Sequence, residues 1–370
     1  MFRYLFALIA SLVLIGINVH VYRRFLSKLA PFSKYKKITA LIVIALSVGE
    51  IAFFATLRHG GIDGRLYYFF SSLVGVSFML FSIAILYDIL HIPLKKIPFD
   101  ASRRVMLKMI LDVGMLILVV GYMLSGFVNG FKDPRITKVR IKINGLKKPL
   151  KIVQISDIHI GKSLGKAFMD VIVASINTLQ ADIVVITGDL LDLKVDQIGD
   201  KLDSLKDIKS KYGVFFIHGN HEYFYGATQI GHFLRSLHVK VLENESYSID
   251  GLINIVGVTD PMGRRMDTMP PDLQKAMLHV NKDLPTILLA HQPKIIKEIT
   301  DEPIDLILSG HTHAGQIFPF GLLVMLDQPY LYGLHQHNKK TQIFVSSGTG
   351  YWGPPIRVMV PSEIVSLEVF

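Results

Sequence analysis

Cysteine is absent from all 370 residues. That excludes disulfides, thiolate metal ligands and a cysteine nucleophile together, and it leaves the compartment open. There is no low-complexity tract and no internal repeat, so solenoid and array architectures fall away as well. Charged residues make up only 19% of the chain, against 50% hydrophobic residues and a mean hydropathy of +0.40. That balance is high in apolar residues for a soluble protein of this size. The formal net charge of +10 suggests a nucleic-acid partner until it is divided along the chain. Residues 1–130 hold 14 Lys and Arg against 5 Asp and Glu, and the remainder holds 26 against 25. The basic excess belongs to the first third. Nucleic-acid recognition needs clustered charge on the folded part, and that part is nearly neutral, so no nucleic-acid partner is expected.

Four apolar segments fill residues 1–130: Tyr4–Tyr22, Thr39–Leu57, Leu66–Tyr87 and Met109–Phe127. Each approaches the roughly 20 residues needed to cross a hydrocarbon core. Tyr4, Tyr22, Tyr67 and Tyr87 sit near segment ends, where amphipathic rings favour the membrane interface. The first segment lacks a small-residue cleavage site and is followed by Arg23-Arg24, so it reads as a retained helix and not as a signal peptide. The loop after the first segment carries Arg23, Arg24, Lys28, Lys34, Lys36 and Lys37, and the loop after the third carries Lys95, Lys96, Arg103, Arg104 and Lys108. The second loop has only Arg58 and Arg65. The positive-inside rule puts the two rich loops in the cytoplasm, and with four spans the large C-terminal part then lies outside. A multi-pass protein of a bacterial cell membrane with an extracytoplasmic domain is the expected arrangement. The basic stretch Lys132 to Lys151 argues weakly for the opposite side. Glu50 falls inside the second segment, a costly position that is either functional or a neutral, partner-bonded packing group. Asp112 lies near one end of the fourth.

Beyond residue 130 the pattern changes. Val139, Ile141 and Ile143 alternate ahead of Asn144-Gly145, which predicts an edge strand entering a hairpin. From Lys151 the periodicity predicts strands at 151–155, 183–187, 213–218, 252–258, 286–290, 305–309, 342–347 and 364–369. It predicts helices at 165–179, 197–210, 227–237 and 271–280. Alternating strands and helices with polar residues at strand ends describe an α/β domain over 131–370, with its site at the carboxyl ends of strands.

Those strand ends are distinctive. Gln154-Ile155-Ser156-Asp157-Ile158-His159 closes one apolar run, and Thr187-Gly188-Asp189, Gly219-Asn220-His221-Glu222 and Ser309-Gly310-His311-Thr312-His313 close three more. On an extended chain residues i and i+2 point the same way, so Asp157 and His159 can grip one ion. A lone Asp-x-His is ordinarily structural; four such strand ends read as a metal site. Nine of the fourteen histidines lie elsewhere, so order and spacing carry the argument, not histidine content.

With Asp157-x-His159, Gly188-Asp189, Gly219-Asn220-His221-Glu222, His291 and Gly310-His311-Thr312-His313 in this order, the chain resembles the calcineurin-like metallophosphoesterases over about residues 135–370. It is most similar to a membrane-linked bacterial branch with Gly-His-Thr-His-x-Gly-Gln, here Gly310 to Gln316, and a late Ser-Gly-x-Gly…Pro-Ile-Arg, here Ser347 to Arg357. The resemblance implies a four-layer α/β/β/α sandwich behind the transmembrane helices, and two divalent metal ions. Asp157, His159 and His313 would hold one ion, Asn220, His291 and His311 the other, and Asp189 would bridge them. His221 would not bind metal but stand near the leaving group or a phosphate oxygen as proton donor or charge stabiliser. Independently, carboxylate, imidazole and amide ligands without thiolate suit Mn, Fe or Zn. The implied reaction is hydrolysis of a phosphodiester, pyrophosphate or phosphomonoester by in-line attack of a metal-bridging hydroxide.

Several neighbouring residues carry weaker signals. His218 reads as a packed core histidine, Asp192 as a hydrogen-bond acceptor behind the ligands, and His335-Gln336-His337 as a surface loop, while Asp260 has no assigned role. Phe318 to Tyr332 is apolar and aromatic, either ordinary core or a hairpin packed on the sheet, or else a greasy lip suited to a lipid-linked phosphoester. Three readings follow: a membrane-anchored phosphoesterase, a catalytically silent metal-binding scaffold, or a sensor or transporter built on the helices. Within the first, a cell-envelope ester fits an outward domain, and a nucleotide–lipid pyrophosphatase of the UDP-diacylglucosamine type fits an inward one.

Overall fold

The computed structural model describes residues 2–32, 34–57, 63–96 and 100–370. It divides into two units, Met1–Phe131 with Gly353–Val358, and Lys132–Trp352 with Met359–Phe370.

The first unit holds α1 (Phe2–His20), which runs on through a wider turn at Val21–Phe25, then α2 (Lys36–Leu57), α3 (Gly64–Lys96) and α4 (Ala101–Gly130). All four helices are long and apolar enough to cross a membrane. Their burial is that of a bundle with an apolar solvent: Leu8, Leu12, Leu41, Ile42, Ile117 and Leu124 face outward, while Val21, Phe25, Ala84, Tyr87 and Met115 fill the inside. Polar side chains are paired within it. Asn18 Nδ2 donates to Glu50 Oε2 at 2.7 Å and to Ser47 Oγ at 2.9 Å, and Ser77 Oγ donates to Asn18 Oδ1 at 2.8 Å. Glu50 is thus bonded to the first helix through Oε2. Asp112 accepts from Tyr87 Oη and from the Ala30 amide, both at 2.8 Å, and pairs with Lys108. Gly353–Val358 packs on the same helices: Arg357 N donates to Gly126 O at 2.9 Å, and a Cβ on Gly126 would meet Ile356 at 2.8 Å. Among the loop residues used for orientation, Arg58 and the side chains of Lys95 and Lys96 lie outside the described residues.

The second unit is two six-stranded sheets. The strands are β1 (Arg135–Ile141), β2 (Leu150–Ile155), β3 (Ile183–Ile186), β4 (Val214–Phe216), β5 (Lys240–Val241), β6 (Glu245–Ile249), β7 (Ile253–Gly257), β8 (Thr286–Leu289), β9 (Leu306–Ser309), β10 (Gly333–Gln336), β11 (Gln342–Val345) and β12 (Glu363–Val369). Their orders are β1-β12-β2-β3-β4-β5 and β10-β11-β9-β8-β7-β6. Period-two alternation sorts their side chains into three cores. Ile152, Ile183, Val185, Phe215, Ile255, Ile287 and Leu308 meet between the sheets. Val153, Val184, Ile186 and Phe216 point the other way, onto helices α5 (Lys166–Thr178) and α7 (Ala227–Ser236). Helix α5 supplies Met169, Ile172, Val173 and Ile176, one face at helical spacing. Val256, Leu288 and Ile307 form the third core on the far face. The layers are helix, sheet, sheet, helix.

All eight strands predicted from residue 151 onward are present, and three other elements differ from expectation. Strand β1 is an edge strand but makes no hairpin: it pairs in parallel with β12, which inserts between β1 and β2. The helix predicted at 197–210 is broken at Gly199 (φ +57°) into short turns at Val195–Ile198 and Asp203–Asp207. The helix predicted at 271–280 is confined to Leu273–Met277. Strands β5, β6 and β10, too short or too polar to show a period, went unpredicted. Strand β10 carries His335, so His335-Gln336-His337 is no free loop. His335 Nε2 lies 2.8 Å from Tyr332 O, and His337 Nδ1 lies 3.0 Å from Tyr330 Oη.

Candidate metal centre

The seven residues predicted as ligands follow five strands of the two sheets. Asp157 and His159 follow β2, and Asp189 follows β3. Asn220 follows β4 and opens the short helix α6 (Asn220–Tyr225), His291 follows β8, and His311 and His313 follow β9. The backbone turns abruptly there: Asp157, His159, Asp189, His311 and His313 all have φ between +48° and +69°. Left-handed non-glycine residues are costly and gather where surrounding structure fixes them for function. A Cβ on Gly310 would collide with Ser156 Oγ and Asp157 Oδ2, so the loop between β9 and His311 passes the carboxylate only as glycine.

Three groups of ligand atoms converge, each within 4.8 Å: Asp157, His159 and His313; Asp189, His291 and His311; and His159, Asp189 and His221. The first brings together the three residues expected around one ion, and the second brings His291 and His311, expected around the other, to Asp189, the residue expected to bridge. Asn220 joins the second, its Oδ1 3.2 Å from His291 Nε2.

The hydrogen-bond pattern tests whether a cation fits. His291 Nδ1 lies 2.8 Å from the Thr187 carbonyl, which can only accept, so Nδ1 carries a proton and Nε2 is the nitrogen left to face a cation or take a second proton. That Nε2 faces Asp189 Oδ2 at 3.2 Å and Asn220 Oδ1 at 3.2 Å, and stands 3.2 Å from His311 Nδ1. His159 repeats the arrangement. Its Nδ1 lies 3.1 Å from Asp192 Oδ1, and its Nε2 stands 3.1 Å from His313 Nε2. Acceptors aimed at acceptors in a buried site repel unless a positive charge lies among them. A proton can meet that need at one nitrogen; a divalent ion meets it for each set at once, so the donor set fits metal.

Electrostatics show where a positive charge is wanted. Burial disfavours a charged His291, yet the Asp189 carboxylate holds it well above the usual imidazole range, so a second proton on Nε2 and a cation compete for one place. Burial, with the neighbouring His291 charge, pushes His311 down to about 3, leaving a neutral ring with a lone pair to offer. Burial would raise Asp189, but His291 and His221 hold it well below the usual carboxylate range. Burial would lower His221, but Asp192 and Asp189 carry it up to about 9.

The residues behind the ligands are equally ordered. Asp192 accepts from His221 Nδ1 at 2.6 Å as well as from His159, the role expected of it. His218 is buried, with Nε2 2.9 Å from Glu243 Oε1. Asp260 takes both carboxylate oxygens to Gln292 Nε2, at 3.0 and 2.9 Å, next to His291. Glu222 is the residue that sequence reasoning left without a role. Its carboxylate is fully buried and accepts four backbone N–H groups: Gly219 at 2.7 Å, Leu190 at 2.8 Å, Asp189 at 3.0 Å and Leu191 at 3.1 Å. It ties the Asp189 loop to the Asn220 loop. The capping-box spacing Gly219-x-x-Glu222 was the available signal. Phe318, Phe320, Leu322, Leu323 and Leu326, past the last ligand, are exposed, so this stretch is not ordinary core.

The calcineurin-like phosphoesterase family pattern matches residues 150–315. A Helicobacter pylori protein named as an uncharacterized metallophosphoesterase is 42% identical over 327 residues, 88% of each chain. A Campylobacter jejuni protein of the same description is 35% identical over 369 residues, covering 99% of this chain and 98% of the other. A Bos taurus "transmembrane protein with metallophosphoesterase domain" is 37% identical over 287 residues, 72% of this chain and 64% of that one.

Proposed function

The chain belongs to the calcineurin-like metallophosphoesterases, and on that premise we propose that it is a membrane-anchored hydrolase of phosphoric esters using two divalent ions. The observation that carries this reading is the convergence of acceptor atoms in two buried groups, Asp157 with His159 and His313, and Asp189 with His291 and His311. Asp157, His159 and His313 would hold one ion, Asn220, His291 and His311 would hold the other, and Asp189 would serve both. Mn, Fe and Zn all suit such ligands. The ions would supply Lewis acidity and lower the pKa of a water shared between them. Asp192 fixes the tautomers of His159 and His221, so His159 presents Nε2 to its ion while His221 keeps Nε2 for the substrate. His221 Nε2, 4.0 Å from Asp189 Oδ2, is set to hand a proton to the leaving oxygen or to hold a phosphoryl oxygen.

The domains we assign are 1–130 for the membrane region and 131–370 for catalysis, with catalysis outside the cytoplasm of a bacterial cell by the positive-inside count. The exposed apolar run from Phe318 to Leu326 supports a lipid-linked substrate. The test is hydrolysis of bis-p-nitrophenyl phosphate and p-nitrophenyl phosphate by the full chain, stripped of metal and reloaded with Mn. Activity that returns with metal and collapses in D189N and H221A is the expected result; activity unaffected by stripping counts against the reading.

A further inference from the structure

His221 stands between two exposed aromatic rings. Trp352, the sole tryptophan of the chain, meets it edge-on with centroids 6.2 Å apart, and Phe224 does so at 5.7 Å. Trp352 is 52% exposed and Phe224 42%, although rings of this size are among the largest apolar groups a fold can bury. Neither is loosely held. Trp352 N donates to Gln316 Oε1 at 2.9 Å and Gln316 Nε2 donates to Trp352 O at 3.0 Å, which ties the Trp352 backbone to the loop of His311 and His313. Phe224 lies on α6, whose first residues are Asn220 and His221 and whose N-terminus is locked by Glu222. Both residues are thus anchored through their backbones beside loops that carry candidate ligands, with much of each ring left to water. Exposed apolar residues scattered singly need no explanation. Two on one functional histidine are not scattered.

We propose that Trp352 and Phe224 wall a subsite for an alkyl arm of the phosphoester, on the His221 side of the metal centre. This rests on the hydrolase reading above and names the substrate class of that site. The choice of alkyl follows from the chain that continues past the loop tied to Trp352. Beyond Gln316, the loop tied to Trp352 continues into exposed Phe318, Phe320, Leu322, Leu323 and Leu326, which offer apolar contact and no hydrogen bond to read a polar base. Anchored aromatic side chains also present large apolar area at low entropic cost.

The experiment compares methyl 4-nitrophenyl phosphate with octyl 4-nitrophenyl phosphate, which share a phosphorus and a leaving group, on the full chain in lipid nanodiscs. The wild type is expected to favour the octyl ester in kcat/KM by about tenfold, and W352A and F224A each to lose most of that preference while turning over the methyl ester within about twofold of wild type. Equal losses on both esters, or no octyl preference in the wild type, would overturn the proposal. A second readout does not depend on turnover. Because Trp352 is the only tryptophan, its emission reports on this site alone. Octyl phosphate is expected to change it saturably, at about tenfold lower concentration than methyl phosphate, with F224A weakening the octyl response. If no metal restores hydrolysis but the emission still discriminates octyl from methyl, the hydrolase reading fails and the subsite stands. If the emission does not discriminate, the subsite is wrong.

Discussion

The Asp192 carboxylate serves two histidines with one oxygen: Oδ1 lies 2.6 Å from His221 Nδ1 and 3.1 Å from His159 Nδ1. The two rings meet nearly perpendicular, 4.6 Å between centroids. One acceptor thereby sets the tautomer of both rings, His159 proposed as a metal ligand and His221 proposed as the proton-handling group.

Replacing Asp192 by Asn is therefore expected to damage both functions. Loss of such a carboxylate behind a ligand typically costs about 10–100-fold in metal affinity or activity. Metal titration and kcat on D192N check this; near-wild-type values for both would show that the shared acceptor does not matter.

Glu222 gives a stability prediction. E222A strands four buried backbone N–H groups, each costing about 1–3 kcal/mol when unsatisfied. Relaxation and water entry reduce the sum, and a net loss of about 3–5 kcal/mol is expected. E222Q keeps one acceptor oxygen and should lose about half as much. Thermal unfolding of both variants ranks them.

Glu243 gives a pH prediction. The hydrogen bond from His218, aided by Arg235 and opposed by burial, lowers Glu243 from 4.5 to about 2. A carboxylate whose folded pKa lies below its unfolded value stabilises above the unfolded value and loses that contribution as pH falls through the folded one. The window runs from about pH 4.5 down to about 2. Allowing for partial exposure, the contribution is on the order of 1–2 kcal/mol. The Tm gap between wild type and E243Q should be full at pH 7 and shrink steadily below pH 4.5. A gap that widens on acidification would contradict the sign.

Gly310 is tested by G310A. The added methyl has no room beside Ser156 Oγ and Asp157 Oδ2, so the loop must shift and His311 N must leave the Asp157 carboxylate, to which it donates at 2.9 and 3.0 Å. A tenfold or greater loss of metal affinity with a modest change in Tm is expected, on the order of that for other groups that orient ligands.

Much of this was legible in the sequence because it depends on period and punctuation. The strands carrying the site are short β-branched runs such as Ile183–Ile186, buried on both faces, and each ends in Gly, Asp, Asn or His. What was not legible depends on the third dimension. Nothing near Asn144-Gly145 announces that residues 363–369 will insert beside β1 in place of a hairpin. Glu222 looks like an ordinary helix residue until the Asp189 loop folds over it. The aromatic neighbours of His221 lie 3 and 131 positions away, at Phe224 and Trp352, and only the fold brings both to one ring.

The central claim is that Asp189 joins two divalent ions, and counting them is its most direct test. The full chain, loaded with Mn, desalted and measured by elemental analysis against protein concentration, is expected to retain about two ions per chain, and D189N to retain one or fewer while keeping the wild-type fold. A folded wild-type chain that retains none, or a D189N variant that holds two as tightly as wild type, would contradict the account.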